Sequence, residues 1–494
     1  MNFFILSALS IILAFLLPSS AEVNTAYQAE RNKIIQEEDK LRLGYDMTLQ
    51  GDEEKADQIF LKLKQTELRN GFKIAEKNLP GMHYYKAKPL LEESKIYQLI
   101  RKMPKGALLS VHTPGAISSK WILNNILNKE NLRKCKNEHD VQLLTFRKEF
   151  GGCKSELMQV AKGEAKEEWF NLYTPTPEET FNSSEAAFNE LCDMFDGIDD
   201  ALNYLPIFKA HYQQFLEKLY NDNVLYTEVR VKYSELYDDT SKKYTLDDVV
   251  KEIENVVNDF KTTHPDFVGL KIIFAILRHG EQDEIRKKFE LYKNLRSKFP
   301  NTIIGIDFVG WEDKGLPLQL FADDFISATK DGSKLFLQAG ETNRLGSTDE
   351  NLVDALLLNT TRIGQGYALA KHPLLMRDVK DKDIAVELSP VSNQINGFVK
   401  DLRNHPGAIL MSENVPIVLG NDSPGFMDLD GLNPDYYYAI MSLSPYQAGL
   451  KTLKRLVENT IKYAQLTDQE RTQAETLLKE KWNEFLKEIL KEGE

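Results

Sequence analysis

Residues 270–309 read LKIIFAILRHGEQDEIRKKFELYKNLRSKFPNTIIGIDFV. Two apolar runs, Leu270–Leu277 and Ile303–Val309, flank a charged segment with helical spacing. A run that is apolar on both faces, followed by a helix and a second such run, is the signature of parallel strands covered by helices. The same unit recurs outward in both directions. Ala107–His112 (ALLSVH) and Leu225–Val231 (LYTEVRV) precede it, and Leu335–Ala339 (LFLQA), Arg362–Leu369 (RIGQGYAL), Ile384–Leu388 (IAVEL) and Pro416–Leu419 (PIVL) follow. Eight such runs predict an α/β fold, a TIM-type (β/α)8 barrel, whose working residues lie where the strands end. Those ends carry His112, Glu228, Asp307, Glu341, Gln365, Ser389 and Asp422.

The chain has 494 residues, with 62 basic and 75 acidic side chains and a net charge of −13. Its 42% hydrophobic content is that of a folded chain with a large core. The acidic balance argues against nucleic-acid binding, which draws on a basic surface. Three cysteines are too few for a disulfide scaffold or a Cys-rich zinc module. Phe3–Leu17 is an apolar run followed by small residues at Ser19 and Ala21, which predicts a signal peptide over residues 1–21 and a secreted mature chain. The run is shorter than the roughly 20 residues a span needs, and no later stretch predicts a membrane crossing.

Residues 22–80 read as a helical segment of two helices with a turn near Gly51-Asp52, carrying Ile59, Leu61, Leu63 and Leu68 at helical spacing. Such terminal helices pack on the main domain or on another subunit. Residues 81–127 open the barrel and 187–494 complete it. The Lys/Glu-rich, irregular stretch 128–186 interrupts the pattern as an inserted module. Outside the cell Cys135 and Cys153 are free to pair, while Cys192 reads as a buried thiol. Asn182 and Asn359 open glycosylation sequons, and a third, at Asn421, follows an apolar run that encloses it.

In order along the chain stand KGALLSVH, NVLYTEVR, HPDFVGLKIIF, IGIDFVGWED, LQAGET, LNTTRIGQGYALAKHP, ELSPVSNQ and DLRNHP. This series resembles the secreted adenosine deaminases called adenosine deaminase-related growth factors, from about Tyr27 to the C-terminus. The resemblance implies a zinc-dependent hydrolytic deamination of adenosine to inosine. It also implies a homodimer built on the N-terminal helices, a Cys135–Cys153 disulfide, and a receptor-binding role for the 128–186 module. The family holds zinc with a His-x-His, the histidine of a His-Ala-Gly-Glu and the first aspartate of an Asp-Asp pair. Zinc lowers the pKa of its bound water towards about 7, and this needs three or four good ligands.

The chain departs from that pattern at most of these positions. The His-x-His reads Ser110-Val111-His112, and the aspartate expected next is Thr113. The His-Ala-Gly-Glu reads Gln338-Ala339-Gly340-Glu341, and the family's Arg-Ile-Gly-His-Gly carries Gln365 in place of its histidine. The Asp-Asp pair reads Asp422-Ser423, while Leu277 and Trp311 stand where further histidines are expected. His112 and Asp422 are thus the remnants of the metal set, and Glu341 is the retained proton carrier. Gly310 and Asp307 match the family's nucleoside-facing positions. Taken alone, His112 reads as a core histidine, and Glu341 and Asp422 as ordinary strand-end carboxylates. The remaining histidines, His83, His139, His211, His264, His279, His372 and His405, show no metal spacing and read as surface or packing residues. Gln338 and Gln365 are expected to hydrogen-bond across the mouth.

Serine and glutamine are poor zinc ligands, and each lost partner costs on the order of 10–100-fold in affinity. The residues therefore predict no bound metal and no enzymatic activity: a secreted, glycosylated pseudoenzyme acting by binding, as a growth factor at a receptor or glycan, or on adenosine itself. The alternative expectation is an active extracellular adenosine deaminase with zinc in an atypical site.

Overall fold

The barrel strands run in parallel register: β1 (Gly106–Leu108), β2 (Val224–Val231), β3 (Gly269–Leu277) and β4 (Ile303–Val309). β5 comes in two short pieces, Lys334–Leu335 on β4 and Gln338–Ala339 on β6 (Arg362–Gln365). β7 (Ala385–Leu388) and β8 (Ile417–Leu419) follow. A parallel bridge between Val111 and Asp422 closes the circle, with the His112 N–H donating to the Asp422 carbonyl at 2.9 Å. The structure is a computed structural model, and it describes residues 25–137, 139–150, 153–158, 164–173, 184–240, 242–342 and 346–493. The predicted signal peptide lies outside these residues.

Six of the eight apolar runs end where the sequence places them, and the first leaves regular pairing at Leu108 and continues only as bridges at Val111 and His112. The sixth stops early: Gln365 has φ 65° and Gly366 φ 55°, which turns the chain out of the sheet into a short 3-10 helix over Tyr367–Lys371. A left-handed pair cannot continue a strand, whatever its apolar content.

Charge runs through the middle of the barrel. Arg230 donates to Asp307 at 2.6 Å and to Glu387 at 2.7 Å, and Arg362 donates to Glu387 and Glu228 at 2.7 Å each. All five side chains are fully buried. The paired charges and their hydrogen bonds offset a desolvation cost that none of these groups would bear alone. This layer forms the floor beneath the strand ends.

Two helices at the N-terminal end, Thr25–Asp39 and Asp52–Lys73, meet the sequence expectation, with Gly51 (φ 59°) at the turn. The first buries none of its residues. The second packs Ala56 and Phe60 on the barrel, and its buried Lys64 donates to the Pro445 and Ala448 carbonyls at 2.8 Å. The inserted module is more regular than its composition suggests. Arg133–Lys136 pairs antiparallel with Gln142–Thr145 and Glu156–Leu157, and helix Glu164–Leu172 follows. The Thr145 hydroxyl donates to Asp200 at 2.5 Å, tying this sheet to helix Ser184–Leu202. Cys135 is disulfide-bonded and Cys192 is free, whereas the side chain at 153 lies outside the described residues, as does Asn182. Asn359 is exposed, but Asn421 and Ser423 are each only 2% exposed, so the third sequon is enclosed. Among the described residues no helix is long and apolar enough to cross a membrane.

Candidate active site

The strand ends surround a cavity of about 430 Å³ lined by His112, Gln338, Glu341, Gln365 and Asp422 on the polar side. Phe188, Phe195, Leu277 and Trp311 line its apolar side. A second cleft, of about 890 Å³, lies against helices Leu450–Lys462 and Asp468–Lys491 and holds none of the candidate residues. The first is therefore the candidate site, since convergent polar groups inside an apolar wall mark small-molecule sites.

Each polar group is held by its own strand end. The Gln338 Nε2 meets the His112 Nε2 at 2.9 Å, so the imidazole nitrogen facing the mouth is already engaged. A carboxylate, Asp422, lies 3.8 Å from the His112 Nε2, and it accepts from Ser392 at 2.8 Å and Ser423 at 3.3 Å. Burial lowers the His112 pKa, which favours the neutral ring. Ser110 is turned downward: its hydroxyl bonds to Glu387 in the buried charged layer, and it does not line the cavity. The Thr113 hydroxyl donates to the Arg230 carbonyl at 3.2 Å.

Glu341 is 7% exposed, and its carboxyl is pushed up to about 8, first by burial and then by Glu312 and Asp422 nearby. It therefore holds its proton at neutral pH. Its backbone is fixed by Glu312, which accepts from the Gly340 N–H at 3.0 Å, the Glu341 N–H at 2.6 Å and Asn351 at 2.7 Å. Arg278 donates to the Phe308 and Gln338 carbonyls at 2.7 and 2.8 Å, locking β4 against β5. Trp311 donates to Asp313 at 3.2 Å, and its ring lies 5.0 Å from Phe188 on helix Ser184–Leu202. Sequence reading missed Glu312 and Arg278, although Glu312 stands inside the quoted GWED.

Several placements depart from expectation. Asp307 does not line the cavity: one oxygen takes Arg230, and the other takes the Gln338 and Phe308 N–H groups at 2.8 and 2.6 Å. Its carboxylate thus belongs to the barrel floor. Glu228 is likewise consumed by Arg362. Gly310 does line the cavity, and its φ of 101° with His279 beside it suits glycine alone. His279 is a cavity residue rather than a surface one. Gln338 bridges the mouth as expected, but the Gln365 Oε1 is buried without a partner among the described residues.

The family model for adenosine deaminase matches residues 174–481, and that for the adenosine/AMP deaminase N-terminal region matches residues 7–100. The chain is 33% identical to adenosine deaminase 2 of Sus scrofa, over 95% of this chain and 96% of that protein. The chain belongs to the adenosine deaminase family. Adenosine deaminase of Phlebotomus duboscqi is 34% identical over 90% of this chain and 89% of its own length. An amidohydrolase of Burkholderia ambifaria, solved with bound zinc, matches the fold with a TM-score of 0.58 at 15% identity, over 80% of this chain and 94% of its own.

These relatives overturn one expectation. Proteins named for adenosine deaminase activity match across nearly the whole chain, so the expectation that it is not an enzyme is corrected, and the family assignment points to an enzyme. Adenosine deaminase family members are zinc-dependent, but the residues of this mouth do not fit zinc in the family's manner. Among the described residues no three His, Cys, Asp or Glu side chains are grouped to hold a metal. Of the four ligand positions, one is a serine bonded elsewhere and one is a carboxamide bonded to the remaining histidine.

Proposed function

We propose that the barrel mouth is an adenosine site facing the extracellular space, and that its reaction is hydrolytic deamination of adenosine to inosine with release of ammonia. The observation that carries this reading is the match of the entire barrel to proteins named for that activity. The cavity supports it. Its 430 Å³ suits a nucleoside, with Phe188 and Trp311 offering aromatic faces to a purine and Glu341 offering a proton to a ring nitrogen at neutral pH. Secretion rests on the apolar run at residues 3–17.

The test is chromatography of adenosine incubated with full chain secreted from eukaryotic cells. The expected result is inosine and ammonia in equal amounts. The rate should be at least about 100-fold below that of the pig relative assayed alongside, because several partners of the family's metal are replaced. A complete absence of inosine, with the pig relative active in the same buffer, would overturn the reaction.

A further inference from the structure

We infer that this mouth recognises its nucleoside without a metal ion, the Gln338 carboxamide standing in the metal's place and accepting from the exocyclic amino group of adenine. The inference rests on the adenosine reading above. It starts from the engagement of each group a metal would need. The His112 Nε2 is taken by Gln338 at 2.9 Å. The Ser110 hydroxyl is spent on Glu387 in the barrel floor. Asp422 is held by Ser392 and Ser423. A zinc ion would have to displace Gln338 from the His112 nitrogen and would gain one imidazole and one carboxylate in return. A hydroxyl and a carboxamide add little to that set.

What closes the metal position also opens a different one. With the neutral imidazole accepting at Nε2 and the amide Nε2 donating, the Gln338 Oε1 has no protein partner among the described residues. The side chain is 5% exposed and lines the cavity. Its backbone is pinned at both ends, the N–H by Asp307 at 2.8 Å and the carbonyl by Arg278 at 2.8 Å, so the carboxamide is presented on a rigid strand end. A largely buried carbonyl acceptor pairs with a donor. The 6-amino group of adenine is a donor, and the 6-oxo group of inosine is an acceptor. Facing an acceptor, the Gln338 Oε1 would be left unpaired and repelled, which is a strong basis for rejection. Gln338 is thus a specificity-determining residue, and it favours release of the oxo product over the amino substrate.

The experiment uses the full secreted chain, dialysed first against micromolar zinc chloride and then against metal-free buffer. Zinc is counted by atomic emission, and adenosine and inosine are titrated calorimetrically with and without dipicolinate. We expect well under one zinc per chain, adenosine binding unchanged by the chelator, and inosine at least about 10-fold weaker. Gln338→Met keeps the shape and removes the amide; it should weaken adenosine about 10-fold and erase the preference over inosine. The double variant Ser110→His with Gln338→His restores the lost imidazoles and should take up about one zinc per chain, which also shows that the barrel tolerates changes at these positions. One zinc per chain in the unmodified protein, with adenosine binding lost on its removal, would overturn the inference and leave the adenosine reading standing. A chain that binds no adenosine, zinc-loaded or zinc-free, would overturn the adenosine reading and the Gln338 contact with it.

Discussion

Glu341 shows at the scale of one residue how the mouth sets its own chemistry. The unfolded chain gives up this proton near pH 4.5 and the folded chain near 8, so between those values the folded state holds an extra proton. A raised carboxyl therefore costs stability as pH climbs through that window, and the cost is complete above pH 8. Glu341→Gln removes the titration. In thermal denaturation the variant should match the parent near pH 4.5 and gain on it steadily up to pH 8, while inosine formation falls sharply. Equal melting temperatures at both ends of that range would contradict the burial that raises this group. Gln338 and Glu341, three residues apart on one strand end, divide the work: one reads the amino group and the other carries the proton.

At the scale of elements, the barrel strands are held by apolar faces outside and by the Arg230–Asp307–Glu387–Arg362–Glu228 layer within. Arg230→Met leaves the buried Asp307 carboxylate without its guanidinium, while Glu387 keeps Arg362, and should cost about 3–5 kcal/mol in urea denaturation. A loss under about 1 kcal/mol would mean that the layer is better solvated than its burial indicates. This layer also explains what was legible in the sequence. Buried parallel strands are continuous apolar runs, so IIGIDFV and LKIIFAIL announce themselves. Asp307 within IIGIDFV reads as a polar strand-end residue, and its sequence carries no sign that Arg230, 77 positions earlier, consumes it. Glu312 escaped notice for the same reason, because its partners Gly340, Glu341 and Asn351 converge only through folding. The replacements Ser110, Gln338 and Gln365 were visible as letters. That Ser110 turns to the floor while Gln338 turns to His112 depends on three-dimensional neighbours that spacing does not encode.

At the scale of the whole molecule, helix Thr25–Asp39 stands out by its exposure. None of its residues is buried, and it exposes Tyr27 at 63% and Ile34 at 57%. A solvated helix with apolar side chains outward gains its stability from a partner surface. We propose a homodimer that covers it. Sedimentation velocity should show a dimer for the mature chain and a monomer once residues 25–39 are removed. A monomeric mature chain would contradict this. No residue of the helix lines the cavity at the strand ends, so its removal should leave adenosine binding unchanged.

The most direct measurement is a calorimetric titration of adenosine into the full secreted chain treated with dipicolinate. A binding isotherm matching that of the zinc-exposed protein is the result expected from a mouth in which Gln338 and His112 close the metal position on each other. Loss of binding on chelation, restored by zinc chloride, would contradict it.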